Sequence, residues 1–250
     1  LKREGVYLIT SAQSETGWVF AEYLAESVKA RLVLVAPSAY PRRDQWQAWL
    51  EANEDEGEIR RFIERTQKLE ASGVETLVVN ADTSDEAQTH AAVARSIERF
   101  GVLNGVLHTE SVPGGGLIQL KTEKLASDVL QPKVQATLSL DAALRDLKLD
   151  FFALFSSSSA FTGGIGQVDY CAANAFLDAF AYYRVSRSHG LTVSIDWDPF
   201  KWEDWQGSQM GGAPDVQAQV KETLAAFGLT KQQRAEAFRR TLSSGLSQLI

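Results

Sequence analysis

With 250 residues, 44% of them hydrophobic, and a formal net charge of −7, the chain can bury one substantial core and offers no surface suited to tracking a nucleic-acid backbone. Its single cysteine, Cys171, excludes an internal disulfide, and His90, His108 and His189 lack the spacing of a metal site. No stretch approaches the roughly 18 apolar residues of a spanning helix, and LKREGVYLIT is not a charged leader followed by a separate apolar region, so we expect a soluble, cytoplasmic chain with neither membrane nor nucleic acid as partner.

The apolar run from Gly5 to Ile9 predicts a buried strand, and Val19, Phe20, Tyr23, Leu24 and Val28 give helical spacing to Gly17–Lys29. Arg31–Val35 predicts the second strand. The polar segment Ala39–Ser72 follows, with the pattern of one or two solvated surface helices; Trp46 and Trp49 within it suit packing against the domain edge or an interdomain contact. Further short apolar runs at Glu75–Val79, Gly105–His108, Phe151–Phe155 and Thr192–Ile195 alternate with helical stretches. Six strands alternating with helices predict an α/β fold, a doubly wound parallel sheet of Rossmann-like type in one domain spanning residues 1–250. After the sixth strand, Asp198–Pro214, with Trp202 and Trp205, matches no regular period and occupies the place of a mobile lid over the carboxyl ends of the strands.

The stretch FFALFSSSSAFTGGIGQVDYCAANAFLDAF carries the chemistry. Tyr170 and Asn174 are four residues apart, on one helix face, and Ser157 stands thirteen before the tyrosine. A serine at the end of the fifth strand and a tyrosine on the next helix can address one carbonyl oxygen, the first polarising it and the second exchanging a proton with it. A tyrosine of ordinary pKa, about 10, needs a nearby ammonium for that work, and Lys133 is the candidate.

The order Lys133, Ser157, Tyr170, Asn174, with GGIGQVDYCAANAFLDAF around it, resembles the ketoreductase domain of modular polyketide synthases, a branch of the short-chain dehydrogenase/reductase superfamily. The resemblance spans essentially the whole chain, from GVYLIT to a terminal helix around Arg234–Leu246. It implies an NADPH cofactor and a β-ketoacyl substrate presented as a thioester on the phosphopantetheine arm of an acyl carrier protein. It further implies a structural ketoreductase subdomain and neighbouring synthase domains as partners, this chain being a segment of a longer polypeptide.

The cofactor residues depart from the family. Where the family pattern is T-G-G-x-G-G-x-G, this chain has Thr10, Ser11, Ala12, Gln13, Ser14, Glu15, Thr16 and Gly17, so four of five glycine positions carry side chains. A Glu15 carboxylate at about 4 Å from a phosphate would cost roughly 4 kcal/mol at an effective dielectric near 20, unless it turns away. The arginine that grips the 2′-phosphate is replaced by Pro37, with Arg42 and Arg43 as the nearest substitutes. The family's His-Ala-Ala-Gly becomes His108-Thr109-Glu110-Ser111, which adds a further carboxylate; only Asp82, the acidic residue facing the adenine, is kept.

The expectation is a pseudo-ketoreductase with weak or lost NADPH binding, serving as scaffold or as an epimerase of the α-carbon. An active NADPH-dependent reductase and a non-catalytic docking module for the carrier protein are the alternatives. Val112–Gly116 lacks Leu-Asp-Asp and Thr162 is not tryptophan, so neither stereochemical class is assigned.

Overall fold

The computed structural model describes residues 1–53, 57–187, 190–200, 222 and 225–250. Most of the expected lid, from residue 201 onward, and His189 lie outside them.

Continuous apolar runs make strands that are buried on both faces, as in a parallel sheet covered by helices. β1 (Val6–Ile9), β2 (Arg31–Ala36), β3 (Thr76–Asn80), β4 (Gly105–His108), β5 (Phe151–Ser157), β6 (Thr192–Trp197) and β7 (Gln248–Leu249) form one sheet in the order β3-β2-β1-β4-β5-β6-β7. Every pairing is parallel, with Tyr7 of β1 opposite both Leu32 and Gly105. The doubly wound fold is therefore as expected. The sheet has a seventh strand that the six-strand reading missed, because two residues are too few to show a period.

Alternation along β1 feeds two cores. Tyr7 and Ile9 face a layer built on α1 (Glu15–Val28), α2 (Trp46–Ala52), α3 (Glu58–Ala71) and α9 (Lys231–Ser244). Val6 and Leu8 face α4 (Glu86–Phe100), α6 (Val134–Leu144) and α8 (Val168–Ser186). Two short helices, α5 (Glu123–Leu130) and α7 (Ser159–Thr162), lie beyond the ends of β4 and β5. The polar segment forms two helices, α2 and α3, and its tryptophans pack within the domain. Trp46 is buried edge-on against Phe62 and donates Nε1–H to the Pro41 carbonyl at 3.0 Å, while Trp49 is partly buried beside the same core. The terminal helix ends at Ser244, two residues short of the expected Leu246, because Gly245 takes a left-handed conformation (φ 69°) and turns the chain into β7.

An aromatic cluster ties α1 and α9 to β5. Phe238, fully buried, meets Phe20 at 5.1 Å, Phe151 at 5.9 Å and Phe155 at 6.3 Å between ring centroids. Phe238→Ala is therefore expected to lower unfolding free energy by about 3–5 kcal/mol in urea titration followed by circular dichroism. A loss below about 1 kcal/mol would show that α9 lies outside the cooperative core.

Candidate functional site

The sheet order reverses between β1 and β4, so a crevice opens above their carboxyl ends, where open α/β sheets place ligands. The two ends are clasped together. Thr109 donates its backbone N–H to Thr10 Oγ1 at 3.0 Å, and its own hydroxyl donates to the Thr10 carbonyl. Both threonines are buried, and Thr10 Oγ1 also lies 3.1 Å from His108 Nδ1.

Ser11 follows with φ 48°, a left-handed conformation that costs a side-chain-bearing residue roughly 1–2 kcal/mol. The backbone thus keeps the shape a glycine would adopt. Ser14 is the N-cap of α1: its Oγ accepts from Gly17 N at 3.0 Å and donates to the Ser11 carbonyl at 2.7 Å. Gly17 remains glycine for a packing reason, since a Cβ there would lie 2.6 Å from the Ser11 carbonyl oxygen. Glu15 turns away from the crevice. Its carboxylate pairs with Arg65 of α3 at 2.5 Å, and that guanidinium also covers the Trp18 ring. The repulsion that Glu15 would exert on a phosphate is therefore largely removed.

At the end of β2, the Pro37 carbonyl accepts from Tyr40 N at 3.0 Å. Arg43 is committed to Glu70 and stacks on Trp46 at 4.2 Å, leaving Arg42 as the exposed arginine nearest Pro37 in sequence. The Asp82 carboxylate is exposed and accepts from Ser84 N at 2.9 Å and Ser84 Oγ at 2.6 Å, a local turn at the end of β3.

On the other side of the crevice, Ser157 closes β5, half-buried, and its Oγ accepts from Ser159 N at 3.2 Å and pairs with Ser159 Oγ at 3.0 Å. Tyr170 and Asn174 lie on the first turns of α8. Asn174 is buried and donates Nδ2–H to the Tyr170 carbonyl at 2.8 Å, while its Oδ1 is enclosed without a partner among the described residues. Lys133, at the N-terminus of α6, has only 2% of its surface exposed. Its Nζ donates to the Phe155 carbonyl at 2.6 Å. The four residues thus gather around the ends of β5 and α8, but no hydrogen bond joins Ser157 Oγ, the Tyr170 hydroxyl and Lys133 Nζ directly.

Burial lowers the Lys133 pKa to about 7, against the raising influence of Glu110 and Asp178. His108 falls to about 3, first through burial and then through the Lys133 charge. Glu110 is raised, first by burial, although Thr83, Ser11 and Lys133 act to lower it. Burial likewise raises Asp196, on β6, and neighbouring Asp178 raises it further.

Two features were not legible in the sequence. The buried Asp169 accepts from Lys121 Nζ and from the Tyr170 backbone N–H, so an ion pair holds the first turn of α8. Lys121 Nζ also donates to the Gly115 carbonyl, and Gly114 lies so close that a Cβ would meet Asp169 Oδ1 at 2.6 Å and Tyr170 Cβ at 2.8 Å. The glycine-rich turn after β4 therefore rests directly on Tyr170. The segments nearby also carry exposed apolar side chains, Leu117, Ile118 and Leu120 after the glycine-rich turn, Phe161 on α7 and Ile165 just beyond it. Only the adjacency of Asp169 to Tyr170 hinted at the ion pair; its partner lies 48 residues away.

The KR domain family model matches residues 5–202. Polyketide synthase PksN of Bacillus subtilis is 31% identical over 258 residues, covering 100% of this chain and 4% of the relative. A 6-methylsalicylic acid synthase of Aspergillus terreus is 33% identical over 238 residues, covering 94% and 12% respectively. Among solved structures, a ketoreductase domain from the bacillaene assembly line superposes with a TM-score of 0.79 at 30% identity, covering 98% of this chain and 54% of that one. An N-terminal ketoreductase from the macrolactin assembly line gives 0.77 at 32%, covering 99% and 44%. The chain therefore spans a small fraction of these synthases and about half of the solved ketoreductase chains.

The buried imidazole predicts a pH dependence. Its folded pKa, about 3, lies below the ordinary 6.5, so between those values the unfolded chain holds a proton that the folded chain lacks. Stability contributed by neutral His108 is present above pH 6.5 and is lost as pH falls, at up to about 1.4 kcal/mol per unit. Urea midpoints at pH 7, 6 and 5 should fall more steeply for the wild type than for His108→Asn. Parallel slopes would overturn this assignment.

Proposed function

Because the chain belongs to the KR domain family, the ketoreductases of polyketide synthases, we propose that it serves carrier-bound β-ketoacyl thioesters without reducing them, exchanging the α-proton instead. The reading rests above all on the crevice over β1 and β4. In a dinucleotide site the amides at the start of α1 await a phosphate, whereas here Ser14 Oγ already accepts from Gly17 N. Ser11 adds a side chain at a glycine position, Glu110 adds a carboxylate, and Pro37 leaves no arginine at the end of β2. These residues do not fit NADPH, and no hydride step is assigned to the site.

What remains is proton chemistry. Ser157 would hold the ketone oxygen as enolate character develops, and Tyr170 would move the α-proton, which solvent replaces; no electrons leave the substrate. Leu117, Ile118, Leu120, Phe161 and Ile165, exposed around this site, suit the apolar body of an acyl chain. The partners on this reading are an acyl carrier protein bearing phosphopantetheine, a structural ketoreductase subdomain and neighbouring synthase domains. A second reading, an NADPH-dependent β-ketoacyl reductase, is favoured by the retained order Lys133, Ser157, Tyr170, Asn174.

Titration of the native polypeptide with NADPH separates the two. Saturation at micromolar concentration would establish the reductase reading, and absence of binding up to millimolar supports the proposal. On the latter outcome, an α-deuterated β-ketoacyl thioester should lose its label above the uncatalysed background, and Tyr170→Phe should slow that loss about 100-fold or more. Equal loss in wild type and variant would leave only a scaffold.

A further inference from the structure

The crevice contains a carboxyl group of the protein's own. Glu110 stands two residues beyond β4, and its carboxylate is met by three loops. Thr83, after β3, donates Oγ1–H to Glu110 Oε1 at 3.2 Å. Ser11, after β1, and Lys133, at the start of α6, both favour the charged form of the same carboxyl. The carboxylate is desolvated; exposed Asp82 is the other charged group that acts on it, and His108 nearby is held neutral.

An anion bound above the β1/β4 reversal would need those same groups: the hydroxyls on the loops after β1 and β3, and the ammonium beneath them. Glu110 already takes the Thr83 hydroxyl, and Ser11 and Lys133 act on the same carboxyl. Glu15, the other carboxylate of the crevice sequence, is drawn off to Arg65.

We infer that Glu110 is the residue that excludes an anionic dinucleotide from this chain, acting as a built-in occupant of the anion position. The inference rests on the cofactor-free reading above but is tested separately from it, by a ratio of affinities. A phosphate approaching this position meets the Glu110 carboxyl, which the Thr83 hydroxyl holds in place. Replacing the carboxyl removes the group that occupies the Thr83 hydroxyl.

The test is NADPH titration, by fluorescence and calorimetry at fixed ionic strength and pH 7.5, of the native polypeptide and of Glu110→Gln and Glu110→Ala, with thermal melting as the check on folding. Glu110→Gln keeps the size and the hydrogen-bonding atoms of the side chain, so it carries the test if Glu110→Ala does not fold. Glu26→Gln, on the exposed face of α1, supplies the same change in net charge away from the crevice. The expected result is at least tenfold tighter NADPH binding in the Glu110 variants and no gain in Glu26→Gln. Folded Glu110 variants that bind no more tightly than wild type, or an equal gain in Glu26→Gln, would overturn the inference while leaving the cofactor-free reading standing. Micromolar binding by the wild type would overturn that reading, and the ratio between wild type and variants would still decide the role of Glu110.

Discussion

A lysine ammonium removed from water must find counter-charge and acceptors or surrender its proton, and Lys133 is almost wholly buried. Much of the polar interior follows from that constraint. Its Nζ is anchored to the β5 main chain at Phe155, two residues before Ser157, so the lysine acts on the serine through the strand that positions it. Glu110 and Asp178 act to keep it charged, and His108 is kept neutral first by burial and then because a second cation beside Lys133 would be repelled. Asp196, whose pKa burial and then nearby Asp178 raise, accepts from Gln248 of the last strand at 2.7 Å. A two-residue strand is thereby tied to the polar centre.

The sheet was legible because its strands are short apolar runs buried on both faces, a pattern that survives without any alignment. Ser157, Tyr170, Asn174 and Lys133 were legible as a motif, and the fold does bring them to one end of β5 and α8. Their mutual geometry was not. The reading that Lys133 stands against the tyrosine becomes, in three dimensions, a lysine bonded to a strand carbonyl. Glu15 looked like a charge aimed at phosphate, yet its partner Arg65 lies fifty residues away on α3. Spacing along a helix predicts faces, but pairing between distant helices depends on packing that no local pattern records. The same limit hid Lys121 and Asp169.

The turn after β1 carries backbone strain at one residue. Ser11 holds a left-handed backbone that glycine adopts freely, and it is over-determined by neighbours: Ser14 N and Ser14 Oγ both donate to its carbonyl, at 2.9 Å and 2.7 Å. The turn after β1 has therefore kept its path while changing its chemistry. Gly17 explains why the path is kept: the close approach of α1 to that turn leaves no room for a Cβ, so the helix cannot back away to suit a bulkier loop.

That retention has a thermodynamic consequence. A glycine turn at a helix N-terminus leaves backbone donors whose best partner is an incoming anion, so the empty site carries unsatisfied groups and the bound site does not. In this chain Ser14 caps the helix, Thr10 and Thr109 satisfy the strand ends, and Glu110 takes the Thr83 hydroxyl. Each exchange replaces a contact that a ligand would make with one the protein makes for itself. These contacts stabilise the ligand-free fold from within, and an anion entering here would have to displace bonds that the protein already makes.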